Sequence, residues 1–361
     1  MSRASALPNE SAVAGNATDV ISHRRMMRAL RHAVGAAAHR VRRTEQPKQY
    51  AFHYERVLGT SFELQVVAAD AGAATRAEVA ALAEVDRLAA VLSGYAATSE
   101  LSRWPSQPGV VTAVSGALAD VLIAAEAWRV HTGGAFNPAS AALVDLLRDP
   151  EPAVHHSVTL DEASRQRALN ERLRALRQPL WTVNRAQGSA CRLTDLPISL
   201  DAIAKGYIVD RAAQVAAEVD GVTQVLVNIG GDLRHHGARA VQVNVADPNA
   251  PAENARPLSV VRLMGEALAT SGGYRRGFSM DGQTVSHIID PRTGRPVRRV
   301  VSASVIAPDC MTADALSTAF SVMTPEESVA LADRVDGVGC LLLEQDGTMT
   351  ANDAWRERRA I

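Results

Sequence analysis

The chain has 361 residues, a formal net charge of -1 at pH 7, 47% hydrophobic residues and 4% aromatic residues. This length can bury a large core, and the low aromatic content means that Ala, Val and Leu build it. The near-neutral charge excludes a general nucleic-acid-binding surface, and the sequence has no apolar run of about 18 residues that would predict a transmembrane helix.

Residues 1–48 differ in composition from the rest of the chain. They are rich in Ala, Ser and Asn and carry an excess of Arg over acidic residues. We predict a basic, flexible tail here. The alternative is a basic amphipathic helix over residues 24–43 that touches an acidic partner or an anionic membrane surface.

The cysteine content and the N-terminal sequence bear on the compartment. Cys191, Cys310 and Cys340 are far apart, odd in number and without CxxC spacing, which argues against a disulfide framework or a zinc site. No cysteine precedes Cys191 to carry a lipid, and no uninterrupted apolar signal core is present. We therefore predict a cytoplasmic protein, with peripheral membrane association as the alternative.

The first part of the folded region, predicted to begin near Tyr50, combines one strand with several helices. Apolar and polar residues alternate over residues 62–68, which predicts a strand. Apolar stripes predict helices over residues 75–92 and 115–131, and Pro138 opens a third helix that ends near Arg148. Charged and polar residues dominate from 149 to 178, and we interpret this segment as a peripheral insertion or a connection between lobes.

From Trp181 onward the pattern favours strands. We predict a hairpin over residues 183–193, one helix over 201–219, and strands over 225–229, 241–245, 260–263, 267–271, 284–289 and 302–306. Several connections are too short for a crossover helix, which predicts a mostly antiparallel sheet and an α+β fold. The predicted domain covers residues 49–340, with a helical lobe at about 75–178 and a strand-rich lobe at about 181–323, and a C-terminal strand and tail follow at 341–361.

The stretch from His287 to Thr318 has the order of strands, turn and helix that we expect of a functional site. A strand ends at His287, a turn follows at Asp290, and after a further strand the chain enters a helix that carries Asp314 and Thr318. At about 100° per residue, Asp314 and Thr318 lie opposite the apolar stripe that contains Leu316. They are either part of a solvated helix face or two oxygen ligands for a hard cation such as Mg²⁺.

Three other stretches could take part in phosphate chemistry. Lys205 lies near the start of a helix that follows a strand, where backbone N–H groups can hold phosphate; the alternative is a surface lysine paired with Asp201. Glycine pairs at 230–231 and 272–273 follow strands and permit close backbone approach or a tight turn. His287 is either structural or a proton-transfer group. Neither a Rossmann fingerprint nor a P-loop is present.

Taken in order, these stretches resemble the ApbE-type FAD:protein FMN transferase family. The resemblance runs from about Val57 to Met323, and the residues that carry it are Gly59-Thr60, Ser93-Gly94-Tyr95, Ser99-Glu100, Gly133-Gly134-Ala135-Phe136, Ile203-Ala204-Lys205-Gly206-Tyr207, Asn228-Ile229-Gly230-Gly231-Asp232, Ala269-Thr270-Ser271-Gly272, His287 to Pro296, Ala313-Asp314-Ala315-Leu316 and Thr318.

The resemblance implies a fold and a reaction. The fold would be an α+β, two-lobed and T-fold-like architecture with a mostly antiparallel sheet core and flanking helices. The reaction would be Mg²⁺-dependent transfer of the FMN part of FAD to a Ser or Thr hydroxyl of an acceptor flavoprotein, with release of AMP; Mn²⁺ is an alternative metal. Two alternatives stay open: an FAD pyrophosphatase that yields FMN and AMP, and an FAD-binding protein without catalysis.

The resemblance also assigns roles to individual residues. It implies His287 as the catalytic acid/base and Asp290 as a nearby orienting carboxylate. The metal ligands would be Asp314, Thr318 and the carbonyl of Ala202. The implied FAD contacts are Leu58, Tyr95, Ala135, Phe136, Asn137, Ser199, Lys205 and Ile288. For Leu58 and Ile288 a role in the core is an equal alternative.

Several positions depart from the family pattern: Asp201-Ala202 stand where Gly-Gly is frequent, Pro105 where Asn is expected and Gly273 where an acid is common, and two further positions have lost an acid. Asn137 stands where Asp is usual, and Ser199 replaces a common Asp. The loss of two acids is expected to change how the nucleotide is held more than whether the metal binds.

Overall fold

The computed structural model describes residues 47–147, 161–250, 255–272, 277–280, 283–286 and 289–360. The chain from Gln46 to Ile361 forms one compact unit. Almost all of the predicted basic tail lies outside the described residues, as do His287 and Ile288.

Eight strands form one sheet in which every neighbouring pair is antiparallel, in the order β1-β2-β6-β7-β10-β15-β16-β17. Their bounds are Lys48–Val57 (β1), Thr60–Ala68 (β2), Val222–Ile229 (β6), Asp232–Gly237 (β7), Ala267–Ser271 (β10), Val300–Ala307 (β15), Gly339–Glu344 (β16) and Met349–Ala351 (β17). The predicted antiparallel α+β fold is confirmed. The predictions did not include β1, although Tyr50, Phe52 and Tyr54 alternate with exposed residues there and lie half-buried against the core.

Four smaller sheets surround the main one. They are formed by β3 (Val111–Ala113), β5 (Ser189–Arg192) and β4 (Trp181–Asn184), by β8 (Val241–Val245) and β9 (Ser259–Leu263), by β11 (Gly277–Met280) and β12 (Gln283–Ser286), and by β13 (Ile289–Asp290) and β14 (Arg295–Pro296). The β4–β5 pair confirms the hairpin predicted at residues 183–193.

The described helices are α1 (Ala71–Leu92), α2 (Glu100–Arg103), α3 (Gly116–His131), α4 (Ala141–Leu147), α5 (Glu162–Leu176), α6 (Asp201–Ala217), α7 (Cys310–Phe320), α8 (Pro325–Ala332) and α9 (Asp353–Arg358). Helix α1 starts before the predicted Thr75 because Asp70 caps it by accepting a hydrogen bond from the Ala73 N–H at 2.8 Å. Helix α5 falls inside the segment interpreted as an insertion or connection. None of the helices in the described ranges is long and apolar enough to cross a membrane.

The main sheet has an apolar core on each face. In β6, Val225, Val227 and Ile229 belong to the large core under helices α1, α6 and α7, whereas Leu226 points to the other face. There the β8–β9 ribbon and Trp355 of α9 cover a smaller core. Helices α6 and α7 on the large core carry the predicted metal ligands and Lys205, and the lobe boundaries stay a prediction.

Candidate active site

Helices α6 and α7 pack so closely that their backbones touch, and this contact depends on Gly206. A Cβ atom added at Gly206 would lie 2.3 Å from the carbonyl oxygen of Cys310 and 2.8 Å from the Cα of Met311. A larger side chain would therefore force the two helices apart. Their close approach lets the Gly206 N–H donate a hydrogen bond to Oδ2 of Asp314 at 3.1 Å.

Asp210, one turn after Gly206, holds the first turn of α7. Its carboxylate accepts hydrogen bonds from the N–H groups of Cys310 at 2.8 Å and of Met311 at 2.9 Å. The start of a helix leaves such N–H groups without intrahelical partners. Burial raises the pKa of Asp210 to about 7, and the two backbone donors oppose the shift. Helix α6 thereby fixes the start of α7, and Asp314 follows one turn later.

Asp314 and Asp232, which are buried, and Lys205, which is half-buried, form a charged cluster where α6, α7 and the start of β7 meet. The exposed fraction is 4% for Asp314 and 2% for Asp232. Lys205 Nζ donates a hydrogen bond to Oδ2 of Asp232 within an ion pair. Burial raises the pKa of Asp314 to about 8; the charge of Asp232 adds to this shift and Lys205 opposes it. When both acids are ionised, two carboxylates face one ammonium group and the cluster is net negative.

The burial of Asp314 corrects the prediction made from the helical wheel. We expected Asp314 and Thr318 to point away from the core, yet Asp314 is buried and Thr318 is half-buried. The cause is that α7 packs against α6 as well as against β10 and β15, so that protein covers more than one side of the helix. Thr318 Oγ1 lies 3.3 Å from Oγ of Ser271 on β10. The alternative of a solvated helix face is therefore wrong.

The predicted metal ligands fit a hard cation such as Mg²⁺. The Ala202 carbonyl lies in the first turn of α6, and the Gly206 N–H four residues later donates a hydrogen bond to Asp314 of α7. Carbonyl, carboxylate and hydroxyl oxygens are the ligand types that Mg²⁺ prefers, and its charge would balance the buried acids. Within the described ranges no three His, Cys, Asp or Glu side chains are grouped to hold a metal, so a site here would also depend on carbonyl and hydroxyl oxygens.

An exposed aromatic ring stands beside the N-terminal end of α6. The side chain of Tyr95 is 78% exposed, and its hydroxyl donates a hydrogen bond to Oδ2 of Asp201 at 2.8 Å. Helix α6 begins after Leu200 with no side-chain cap, while Oγ of Ser199 accepts a hydrogen bond from the Asp201 N–H at 3.2 Å. A planar ring beside the positive end of a helix can bind an aromatic group whose phosphate lies at the helix end.

The sequence matches the ApbE family over residues 58–342. The chain belongs to this family. It is 29% identical over 309 residues to the FAD:protein FMN transferase of Salmonella typhimurium, a match that covers 81% of this chain and 83% of that protein. It is 33% identical over 263 residues to the FAD:protein FMN transferase of Vibrio cholerae, with 69% of this chain and 75% of that protein covered.

A solved structure supports the same assignment. The fold matches the crystal structure of the ApbE protein from Thermotoga maritima with a TM-score of 0.72 at 28% identity, over 87% of this chain and 100% of that chain. As a member of the ApbE family, the chain is an enzyme of the transferase class.

The predicted FAD contacts after Gly134 have their side chains directed into the protein. Ala135 and Phe136 are each 2% exposed. Asn137 is buried; its Nδ2 donates to the carbonyl of Leu176 at 3.0 Å and its Oδ1 accepts from the N–H of Ala139 at 3.0 Å. The side chain that replaces the usual acid of the ApbE family therefore holds this loop in place, and a ligand contact from this loop is best made by its backbone.

The β1–β2 turn, which contains Leu58, leads into Thr60 and Ser61, and these contact the glycine turn before Asp232. Leu58 occupies the β1–β2 turn with a positive φ of 51° and is 38% exposed, so it is not a core residue. A Cβ at Gly230 would lie 2.7 Å from Cγ2 of Thr60, and the Gly230 N–H donates to the carbonyl of Ser61 at 3.1 Å. Two stretches that carry the ApbE resemblance are thus in contact.

Lys205 does not form the surface ion pair with Asp201 that was the alternative to a role in the site. The partner of Lys205 is Asp232, and Asp201 bonds to Tyr95. Burial opposes protonation of Lys205, and the two neighbouring carboxylates raise its pKa despite this, so the ammonium stays charged.

The predicted catalytic pair is only partly described. His287 lies outside the described residues, as does Ile288. Asp290 is buried, and its Oδ1 accepts hydrogen bonds from the backbone N–H of Arg292 at 2.8 Å and from Nε at 3.0 Å. Arg292 in turn lies 3.3 Å from Glu327 of α8. Asp290 therefore anchors the turn after His287, and its orienting role stays a prediction.

Two residues of the site were not predicted to act in it. Asp232 was noted only as the end of a glycine turn, and Asp210 only as part of a helix. An acid directly after a buried strand and a glycine pair is a signal that could have identified Asp232. No signal in the sequence pairs Asp210 with the start of a helix that lies about 100 residues later.

Proposed function

We propose that this chain transfers the FMN part of FAD to a Ser or Thr hydroxyl of an acceptor flavoprotein and releases AMP, with Mg²⁺ as the required metal. The observation that carries the proposal is the charged cluster of Asp314, Asp232 and Lys205 beside the start of α6. A buried site with two acids and one ammonium group suits a divalent cation bound together with a pyrophosphate. The relatives named above, both FAD:protein FMN transferases, support the same reaction.

In this proposal Asp314, Thr318 and the carbonyl of Ala202 hold the metal. Bound Mg²⁺ would neutralise the charge that develops on the phosphate oxygens. The positively charged ammonium group of Lys205 binds a negatively charged phosphate oxygen. Asp232 keeps this ammonium group protonated and in place. Tyr95 stacks on a ring of the nucleotide, and its bond to Asp201 keeps its hydroxyl at the start of α6.

The bond changes concern the pyrophosphate and the acceptor hydroxyl. The hydroxyl oxygen forms a bond to the phosphorus on the FMN side, and the bond from that phosphorus to the bridging oxygen breaks, so that AMP leaves. His287 takes the hydroxyl proton, and Asp290 supports the turn that follows it. Hydrolysis of FAD would use the same residues with water in place of the hydroxyl.

The test follows both products in one reaction. The full chain is incubated with FAD, Mg²⁺ and a flavoprotein that carries a Ser/Thr acceptor motif, while AMP release and in-gel flavin fluorescence are measured. AMP together with a fluorescent acceptor supports transfer. AMP with only free FMN indicates the pyrophosphatase, and FAD binding without either product indicates a binding protein.

The variant His287→Ala tests the role of the acid/base. We expect transfer to fall by about 100- to 10,000-fold because the proton acceptor is lost. The affinity for FAD, measured by quenching of flavin fluorescence, is expected to stay unchanged. A variant that no longer binds FAD would contradict the assignment and would make His287 a ligand-holding residue.

A further inference from the structure

Three hydroxyl groups, those of Thr318, Ser271 and Ser317, form a hydrogen-bonded chain beside the proposed metal ligands. Ser271 Oγ, at the end of β10, lies 3.3 Å from Thr318 Oγ1 and 2.9 Å from Ser317 Oγ. Ser317 Oγ in turn donates a hydrogen bond to the backbone carbonyl of Asp314 at 3.0 Å. This hydroxyl chain therefore starts at one residue to which we assign the metal and ends on the main chain of another.

The direction of the hydrogen bonds in the hydroxyl chain follows from the group at its end. A carbonyl oxygen can only accept, so the single hydroxyl hydrogen of Ser317 goes to Asp314. Ser317 Oγ must then accept from Ser271, which uses the hydrogen of Ser271. Ser271 Oγ is left to accept from Thr318. All three hydroxyl groups thus donate in the same direction, away from Thr318.

Burial keeps this direction fixed. Ser317 is fully buried and Asp314 is 4% exposed, so that bulk solvent does not compete with the carbonyl as the acceptor. A buried hydroxyl hydrogen without an acceptor would cost free energy, and turning the chain round would leave Ser317 in that position. Ser271 and Thr318 are only half-buried, but the order imposed at the buried end of the chain extends to them.

The direction of the chain decides what the Thr318 hydroxyl can bind. A hydroxyl group holds a cation through an oxygen lone pair, so its hydrogen has to point elsewhere. The hydrogen of Thr318 is directed at Ser271, which leaves the lone pairs of Oγ1 for a cation. Partners of this kind, one step removed from the metal, orient ligands in many metal sites.

We propose that Ser271 and Ser317 are positioning residues, which hold the Thr318 hydroxyl with its oxygen lone pairs available to the metal through a one-way hydrogen-bond chain anchored on the Asp314 carbonyl. This inference rests on the proposed function for the identity of the ligand, a hard divalent cation. It predicts that Ser271 and Ser317, neither of which is assigned to the metal, set the metal affinity of the site by acting on Thr318.

The test measures the affinity of the full chain for Mn²⁺ alone, without FAD or acceptor, from the loss of the EPR signal of free Mn²⁺. Mn²⁺ accepts the same oxygen ligands as Mg²⁺. We expect Ser271→Ala to weaken Mn²⁺ binding by about 10- to 100-fold, because the Thr318 hydrogen loses its acceptor. Ser271→Thr keeps a hydroxyl and should retain most of the affinity. Ser317→Ala should also weaken binding, and it replaces Ser271→Ala if that variant does not fold.

A neighbouring hydroxyl pair supplies the matched control. Thr270 Oγ1 lies 2.8 Å from Ser304 Oγ of β15, on the other face of β10 from Ser271 because side chains alternate along a strand. Ser304→Ala removes a buried hydroxyl partner of the same kind and should leave Mn²⁺ affinity unchanged. In a Thr318→Val background, Ser271→Ala should weaken binding no further, since its effect passes through the Thr318 hydroxyl.

Three outcomes would overturn the positioning role. They are a Ser271→Ala protein with wild-type Mn²⁺ affinity, an equal loss of affinity in Ser304→Ala, and a further loss when Ser271→Ala is added to Thr318→Val, which would make Ser271 a ligand itself. Failure of the proposed function has other signatures. Wild-type Mn²⁺ affinity in Thr318→Val would refute the metal assignment, and the hydroxyl chain with it. A Ser271-dependent Mn²⁺ site in a protein that makes no acceptor fluorescent would refute transfer alone.

Discussion

At the scale of single residues, the charged cluster joins stability to function. Asp314 and Asp232 are buried beside one ammonium group, that of Lys205, so the folded chain without metal holds a proton on Asp314 that the unfolded chain would release. Sites of this kind are less stable than an apolar core and are kept for the ligand that they bind. The pH dependence of stability should therefore report on Asp314.

We predict that the stability of the metal-free protein falls as the pH rises towards and through about 8. The pKa of Asp314 is raised from its usual 3.8 to about 8, so between these values the folded chain binds more protons than the unfolded chain. Stability from this group is complete below the lower value and is lost as the pH passes the higher one. One proton corresponds to a slope of at most about 1.4 kcal/mol per pH unit.

The measurement is urea unfolding in EDTA at several pH values for the wild type and for Asp314→Asn. Asp210, whose pKa is raised to about 7, contributes a slope of the same sign, so the difference between the two proteins is the quantity of interest. Asp314→Asn should flatten the slope and should lose any stabilisation by added Mg²⁺. Asp353→Asn, at a side chain that is 90% exposed, is the control. Equal slopes in wild type and Asp314→Asn would show that Asp314 titrates normally.

The sequence identified Asp314 as a candidate site residue but did not identify Asp232. The spacing of Asp314 and Thr318 identified a candidate pair, but the helical wheel gave the wrong surroundings because it represents only one helix. Whether the face opposite an apolar stripe is solvated depends on what else packs there, and here α6 covers it. Asp232 was missed for a related reason: its partner Lys205 lies on another element, 27 residues earlier in the chain.

At the scale of elements, the crossing of α6 and α7 positions the site. Gly206 permits the crossing, its N–H binds Asp314, and Asp210 on the same helix caps α7. Metal ligands from two helices can only act together if the distance between the helices is fixed. The helix bounds could be predicted from apolar periodicity and caps, whereas the need for glycine at 206 could not, since it depends on a contact with Cys310.

We predict that Gly206→Ala lowers the free energy of unfolding by about 1–3 kcal/mol and lowers transferase activity more than FAD binding. The added Cβ would meet the Cys310 carbonyl at 2.3 Å, so the helices must separate and the bond to Asp314 lengthens. The measurements are urea unfolding and Mg²⁺ titration of activity, in which the variant should need more metal.

Gly116→Ala is the matched control for this prediction. Gly116 begins α3 and has no atom within 4 Å of an added Cβ, so alanine there should be neutral or stabilise by up to about 1 kcal/mol. If Gly206→Ala behaved like Gly116→Ala in both assays, close packing of the two helices would not be what holds the site together.

At the scale of the whole molecule, the eight-stranded sheet separates two cores with different tasks. The large core carries the charged cluster, and the smaller core under β8, β9 and α9 carries no residue of the proposed site. Local patterns predicted most central strands and a C-terminal strand, but not β1, the second C-terminal strand β17 or helix α9. The strand order joins residues far apart in the chain, as in the pairing of β2 with β6, and local periodicity contains no information on it.

The smaller core holds one titratable group that should make the protein sensitive to acid. His235 is fully buried; its Nδ1 accepts a hydrogen bond from the Gly265 N–H at 3.0 Å, and its Nε2 has no partner among the described residues. Burial, together with the charges of His236 and Arg234, lowers its pKa from 6.5 to about 4.

We predict that the contribution of His235 to stability falls by up to about 3 kcal/mol as the pH falls from 6.5 to 4, against the slopes of opposite sign from Asp314 and Asp210. In this window the unfolded chain takes up a proton that the folded chain does not, so unfolding is favoured as the solution becomes more acidic. His235→Asn keeps an acceptor near the Gly265 N–H but cannot be protonated, and it should therefore lose less stability between pH 7.5 and 4.5 than the wild type. His53→Asn, at a half-exposed ring, should behave like the wild type. An equal loss in His235→Asn and wild type, measured as urea midpoints, would show that the smaller core is not the acid-sensitive part of the molecule.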